Sequence, residues 1–251
     1  MEILDRLLAT CVTADGKVLD IRIGVHWTAV VVEAQGQRRA GLAATQTPAD
    51  WEHGRPFVSE AGRLTERRAS ELAGLLKSES PTERSVGLAA LNALHTPPDL
   101  LSEGNADQIL LEKGRGKRVA VIGHFPFVER LCEIAETCWV LELHPGQADL
   151  PASEAPMLLP QADMVAITGM TLLNGTFEAL VRLPRPDAYV MLLGPSTPFS
   201  SLFFEYGIHA VSGTVVVDIP AVLAAVSQGA TFRQIPGKRL FTIFSGASSA
   251  G

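Results

Sequence analysis

Cysteine is scarce in this chain: Cys11, Cys132 and Cys138 are the whole supply in 251 residues. An odd number without CxxC spacing excludes a disulfide framework and a thiolate zinc site, and makes a reducing cytoplasm the expected setting. Basic charge is also short, with 21 Lys and Arg against 27 Asp and Glu and a formal net charge of −6. The broad attraction that draws proteins to nucleic acid or an anionic membrane is therefore missing, and neither is an expected partner. No apolar run approaches the ~20 residues of a membrane span; even the greasy 210–230 stretch contains Asp218 and Pro220. The opening Met1-Glu2-Ile3-Leu4-Asp5-Arg6 carries acid where a secretory signal needs base, so export is not expected. No Gly-x-Ser-x-Gly elbow, HExxH pair or P-loop occurs, which weighs against hydrolase, zincin and nucleotidase chemistry.

What is present is a chain with 47% hydrophobic residues, long enough for one large domain or two modest ones. Val18, Ile21, Ile23, then Val25 with Thr28 to Val32, then Ala40 to Thr45 read as two or three antiparallel strands, punctuated by Gly24 and Gln35-Gly36. Residues 47–64 have no period and read as a long loop. Ala69 to Lys77 reads as a helix, and Ser80-Pro81-Thr82-Glu83 opens another, with Ser80 as N-cap and Glu83 completing a capping box. A domain linker is expected over 95–117, which holds a short helix opened by Asn105 and the basic Lys113-Gly114-Arg115-Gly116-Lys117-Arg118 cluster.

Beyond the linker come short apolar runs at 119–122, 139–143, 164–167, 189–193 and 214–217, separated by helical segments. Strands covered on both faces of a parallel sheet require that pattern. The reading is α/β: an α+β domain over 1–100 and a doubly wound parallel sheet over 101–251, with Leu240 to Phe244 as an added edge strand. Cys132 and Cys138 fall on the first helix and at the start of the second strand, where they are expected as buried small hydrophobes.

Ligands of such sheets bind outside the carboxyl ends of the strands. The first of these turns is Gly123-His124-Phe125-Pro126-Phe127-Val128. A dinucleotide fingerprint wants glycine at 125 and 128, so Phe125 and Val128 disfavour a bound NAD or FAD. Glu142 closes the second run and could accept from ribose hydroxyls. The third turn supplies Thr168, Gly169, Thr171, Asn174, Gly175 and Thr176, and the fourth Gly194, Ser196 and Thr197. Small polar residues where helices begin offer free amides to an anion, with N-capping as the plainer role. Asp218 has the position of a cap, and Ser212-Gly213 that of a bulge or close approach. His124, Glu142 and Glu154 could give a nitrogen-and-oxygen set for a divalent or trivalent metal, although their spacing matches no established motif.

Taken in order, Glu83 to Ala93, Gly123-His124-Phe125-Pro126, Leu150-Pro151-Ala152-Ser153-Glu154, Ile167-Thr168-Gly169 with Asn174-Gly175-Thr176, and Gly194-Pro195-Ser196-Thr197-Pro198 with Ser212-Gly213 resemble a poorly characterised prokaryotic family labelled as a heavy-metal chelation domain. The resemblance runs from about residue 15 to 245. It implies an enolase N-terminal-like domain followed by a Rossmann-like domain, a site in the cleft between them, and Asn92 and Thr45 turned toward the second domain's loops. The leading expectation is a cytoplasmic protein that binds a metal ion or an anionic metal chelate there. An enzyme using a nucleoside-containing cofactor such as S-adenosylmethionine is the alternative, with Glu142 on the ribose. A third reading is assembly: residues 188–232 contain only Glu205 and Asp218 as ionised groups, as the face of a homo-oligomer would. Binding and turnover are equally open, so no catalytic residue is named.

Overall fold

A computed structural model describes residues 2–49, 54, 56–95 and 106–246. In chain order the elements are α1 (Glu2–Thr13), β1 (Lys17–Ile23), β2 (Trp27–Ala34), β3 (Gln37–Ala44), α2 (Ala69–Gly74), α3 (Pro81–Leu94), α4 (Ala106–Gly114), β4 (Arg118–Ile122), α5 (Val128–Ile134) and β5 (Thr137–Glu142). There follow β6 (Leu150–Pro151), α6 (Ala155–Leu158), β7 (Met164–Thr168), α7 (Met170–Asn174), α8 (Phe177–Val181), β8 (Tyr189–Leu193), β9 (Ala210–Val216), α9 (Ile219–Ser227) and β10 (Lys238–Phe244). The architecture is mixed α/β, with a three-stranded sheet ordered β1-β2-β3 and a seven-stranded sheet ordered β10-β9-β8-β7-β4-β5-β6.

By its contacts the chain divides into two compact units: Met1–Pro98 with Pro195–Ser200 and Gly213–Leu240, and Asp99–Gly194 with Ser201–Ser212 and Phe241–Gly251. Residues 195–200 and 213–240, which sequence reading puts in the second domain, thus pack with the first unit. The 100/101 boundary itself lies outside the described residues, as does the Asn105 cap. Part of the expected linker is helix: α4 buries Ala106, Leu110 and Gly114, and Leu110 joins the second unit's core with Val119, Leu131 and Met164.

In the first unit β1, β2 and β3 pair antiparallel, Ala29 opposite Leu42 and Val30 opposite Gly41. Gln35 and Gly36, at φ 52° and 72°, make the two-residue turn between β2 and β3. Successive side chains alternate faces, so Val30 and Gly41 meet α3 while Ala29 and Leu42 cluster with Val222 and Val226 of α9. Cover on both sides explains the unbroken Val30-Val31-Val32 run in an antiparallel strand. Gly41 is where the sheet touches its helix: a Cβ there would lie 2.1 Å from Ala89 O. α1, for which no expectation was drawn, buries Ile3, Leu4, Leu7 and Cys11 as one stripe.

Only half of the capping box forms at α3. Ser80 Oγ accepts from Glu83 N at 3.4 Å, but the Glu83 carboxylate takes the Ser59 amide at 2.8 Å, the Ser59 hydroxyl at 2.6 Å and the Ser78 hydroxyl. Burial pushes this acid up, and the Ser59 and Ser78 hydrogen bonds outweigh it, leaving Glu83 below its ordinary value. Ser59 comes from the 47–64 loop, whose donors a local sequence window does not reveal.

The second unit's strands are parallel from β6 through β5, β4, β7 and β8 to β9. β9 starts at Ala210, four residues ahead of the expected 214, because Ala210, Val211 and Ser212 already pair with Met191, Leu192 and Leu193. At the amino ends of β4 and β7, Asp163 accepts from Arg118 N at 2.8 Å and from Arg185 at 2.6 Å. The Arg118 and Arg185 guanidinium groups hold its carboxyl well below the usual range.

Two cysteine expectations are corrected. Cys132, on α5, and Cys138, on β5, are joined in a disulfide and are half-buried. The short turn between helix and strand brings their Cα atoms to 5.1 Å, inside the bridging range. Cys11 is the free, buried thiol.

Candidate functional site

In the second unit the carboxyl ends of β4, β7 and β8 converge around one aromatic ring. Gly123 and Gly194 take φ of +100° and +122°, a region costly for any side chain. A Cβ on Gly123 would stand 3.1 Å from Thr168 and 3.5 Å from the Phe125 ring. One on Gly194 would meet Thr168 Oγ1 at 3.7 Å and Phe125 at 3.8 Å. Phe125 is half-buried and stacks on Phe127 with centroids 5.1 Å apart. It therefore lies beside the glycines that follow β4 and β8.

The expectation of free amides at this rim is corrected at three positions. Gly123 N donates to Leu141 O at 3.0 Å, Gly169 N to Leu193 O at 2.8 Å and Gly194 N to Ser212 O at 3.2 Å. Each parallel ladder runs one residue past its strand and uses the amide that an anion would need. The hydroxyls beside them are also engaged. Thr168 Oγ1 accepts from Met170 N at 3.3 Å, and Thr171 Oγ1 donates to Thr168 O at 2.7 Å. Asn174 Oδ1 accepts from the Thr176 amide at 3.1 Å and hydroxyl at 2.7 Å, while Gly175, at φ 75°, ends α7. These three residues close a short helix on themselves.

The nitrogen-and-oxygen trio does not gather. Among the described residues no group of three or more His, Cys, Asp or Glu stands close enough to hold a metal ion. His124 is exposed, with Nδ1 3.4 Å from Asp149 Oδ1, and Asp149 Oδ2 accepts from Gly146 N at 2.9 Å. Glu142 ends β5 opposite Pro151, and Glu154 closes the turn Ala152–Glu154. Pro126 is exposed.

A different arrangement appears in the first unit, at the end of β3. Asn92 Nδ2 donates to Leu42 O at 2.8 Å and to Ser196 O at 3.1 Å. Ser196 Oγ accepts from Ala44 N at 2.9 Å. Thr45 shares a 2.9 Å hydroxyl contact with Thr28. Asn92 thus fastens the 195–200 loop to the strand with both amide hydrogens. Its Oδ1 is buried without a hydrogen-bond partner, and so is Thr197 Oγ1; Thr197 as a whole is only 2% exposed. Buried polar atoms left unpaired are uncommon and costly, so each asks for an explanation. Gly213 supports the loop from below, since a Cβ there would come within 2.5 Å of Thr197 O.

Two further candidates carry hydrogen bonds of the fold itself. Asp218 caps α9, accepting from Ala221 N at 3.0 Å. Ser212 Oγ donates to Phe241 O at 3.1 Å and lies 3.1 Å from Thr242 Oγ1. A groove of about 610 Å3 beside α9, lined by Leu19, Val31, Leu223, Arg22 and Arg38 among others, includes none of the expected site residues.

Two family models together span most of the chain. The DUF364 model, described as "Putative heavy-metal chelation", matches residues 105–245. The DUF4213 model, with the same description, matches residues 4–95. An uncharacterized protein of Methanocaldococcus jannaschii is 26% identical over 217 residues, 83% of this chain and 82% of its own length. A crystal structure of a DUF364-family protein of unknown function from Desulfitobacterium hafniense is similar with a TM-score of 0.76 and 27% identity, covering 97% of each chain. Another, from Pyrococcus horikoshii, has a TM-score of 0.80 at 19% identity, covering 96% of this chain and 98% of its own; at that identity it shows the fold alone. No helix among the described residues is long and apolar enough to cross a membrane.

Proposed function

The chain belongs to the DUF364 family, and from that premise we propose that it binds a divalent or trivalent metal carried inside a small-molecule chelate. A bare ion of this charge needs several protein ligands, usually carboxylate, imidazole or thiolate. The described residues offer it no cluster of three. A chelate brings its own donor atoms to the metal and asks the protein only for hydrogen bonds and contact. The observation that carries this reading is the pair of buried, unpartnered oxygens, Thr197 Oγ1 and Asn92 Oδ1. Asn92 Oδ1 accepts only, whereas the threonine hydroxyl both donates and accepts. Each suits a polar ligand group, Asn92 Oδ1 a donor and the Thr197 hydroxyl a donor or an acceptor.

Calorimetric titration of metal-stripped protein with ferric citrate, nickel citrate, citrate alone and the corresponding simple salts tests the proposal. Saturable binding of a citrate complex that exceeds binding of the salts, and weakens about tenfold in Thr197→Val, is expected; a lost neutral hydrogen bond of ~1.4 kcal/mol corresponds to that factor. Equal binding of the simple salts, or a Thr197→Val protein that binds as the parent does, overturns it.

A further inference from the structure

The Cys132–Cys138 disulfide joins α5 to the start of β5 over a separation of only 6 residues. Cross-links over short loops constrain the unfolded chain less than those over long ones. The connection is also held without it: Ala135 N donates to Leu131 O at 3.0 Å, Glu136 N to Lys117 O at 2.9 Å, and Gly116 N to Ile134 O at 2.8 Å. The fold therefore depends little on the bridge. Both cysteines are half-buried at the margin of the core, which leaves an approach for a thiol. Cys11 is the contrast, 1% exposed, with burial pushing its thiol up to about 12, so that it has almost no thiolate with which to exchange.

We propose that Cys132 and Cys138 form a reversible two-electron redox couple, exchanged with a dithiol reductant, whose state sets the mobility of the Gly123–Phe127 turn. A thiolate of the reductant attacks one of the two sulfurs, the Cys132–Cys138 bond breaks, and the other cysteine leaves as thiolate. The second thiol of the reductant then displaces the mixed disulfide. Both cysteines end as thiols after taking up two electrons and two protons, and the reductant becomes a disulfide. The link to the turn is mechanical. α5 begins directly after Phe127, and Phe125 in that turn lies over the strand ends. The covalent tie anchors the far end of the same short helix.

Full-length protein, equilibrated in mixtures of reduced and oxidised dithiothreitol and only then alkylated to count its free thiols, tests this. Trp139 follows Cys138 in sequence, and its emission reports the bridge because disulfides quench indole. A single reversible transition is expected with the chain still folded by circular dichroism, abolished in Cys132→Ser and Cys138→Ser and retained in Cys11→Ser. Amide exchange across 123–128 should quicken at least threefold on reduction. Three free thiols after exposure to oxidised dithiothreitol would overturn the couple. So would a bridge that yields only after urea has unfolded the chain, and unchanged exchange across 123–128 would overturn its effect on the turn. The wild-type titration decides these points even where a serine variant fails to fold.

Discussion

Two loops that read alike in sequence behave differently. Thr168-Gly169-Met170-Thr171 and Gly194-Pro195-Ser196-Thr197 both follow an apolar strand with glycine and hydroxyl residues. In the first, every hydroxyl described above is used by the loop's own backbone, as in Thr171 Oγ1 to Thr168 O. In the second, the loop is held from outside, by Asn92 and by Ala44 N on Ser196, and Thr197 Oγ1 is left over. A self-satisfied loop needs nothing more. One that is tied down by distant residues keeps a buried hydroxyl idle, which is the atom the proposed ligand would engage.

The contrast can be broken experimentally, most sharply at Asn92. Asn92→Ala strands the Leu42 and Ser196 carbonyls and is expected to cost about 3 kcal/mol in urea unfolding; a loss below about 1 kcal/mol would mean the loop is not held by this amide. Gly213→Ala forces a Cβ against Thr197 O and should cost about 2 kcal/mol, measured the same way. Glu83 offers a buried polar group that is fully used. Because its folded value is lowered, its contribution is present above ~4.3, the ordinary carboxylate value, and is lost as pH falls through the folded value. Between about pH 5 and 3 the parent should therefore lose more stability than Glu83→Gln, and parallel acid titrations of the two would contradict this. The smallest effects form the cleanest pair: Thr171→Val should cost about 1 kcal/mol, while Thr197→Val, without ligand, should be neutral within about 0.5 kcal/mol. Equal losses at both positions would erase the distinction between the loops.

The strands were legible because burial on both faces leaves an apolar run, and α3 because Ser80 and Pro81 mark its start. Glu83 shows where local reading stops: its spacing matches a capping box, but stronger donors reach it from Ser59. The disulfide was illegible for a related reason, since a spacing of six residues matches no pairing rule and only the turn from helix to strand brings the sulfurs together. The glycines of the rim were correctly found at the strand ends, yet whether their amides are free depends on the register of the neighbouring strand. Asn92 entered only through the family resemblance. A lone asparagine in an apolar helix carries no local sign that both its amide hydrogens are spoken for.

The path of the chain has a consequence for how the protein can be taken apart. The family models split it between residues 95 and 105, yet Val222, Val226 and Ile235, from the later stretch, pack against Ala29 and Leu42 of the earlier one. A gene fragment ending at that seam would encode three strands stripped of the apolar cover on one side, and its product should collect in inclusion bodies unless 213–240 is supplied as a separate peptide.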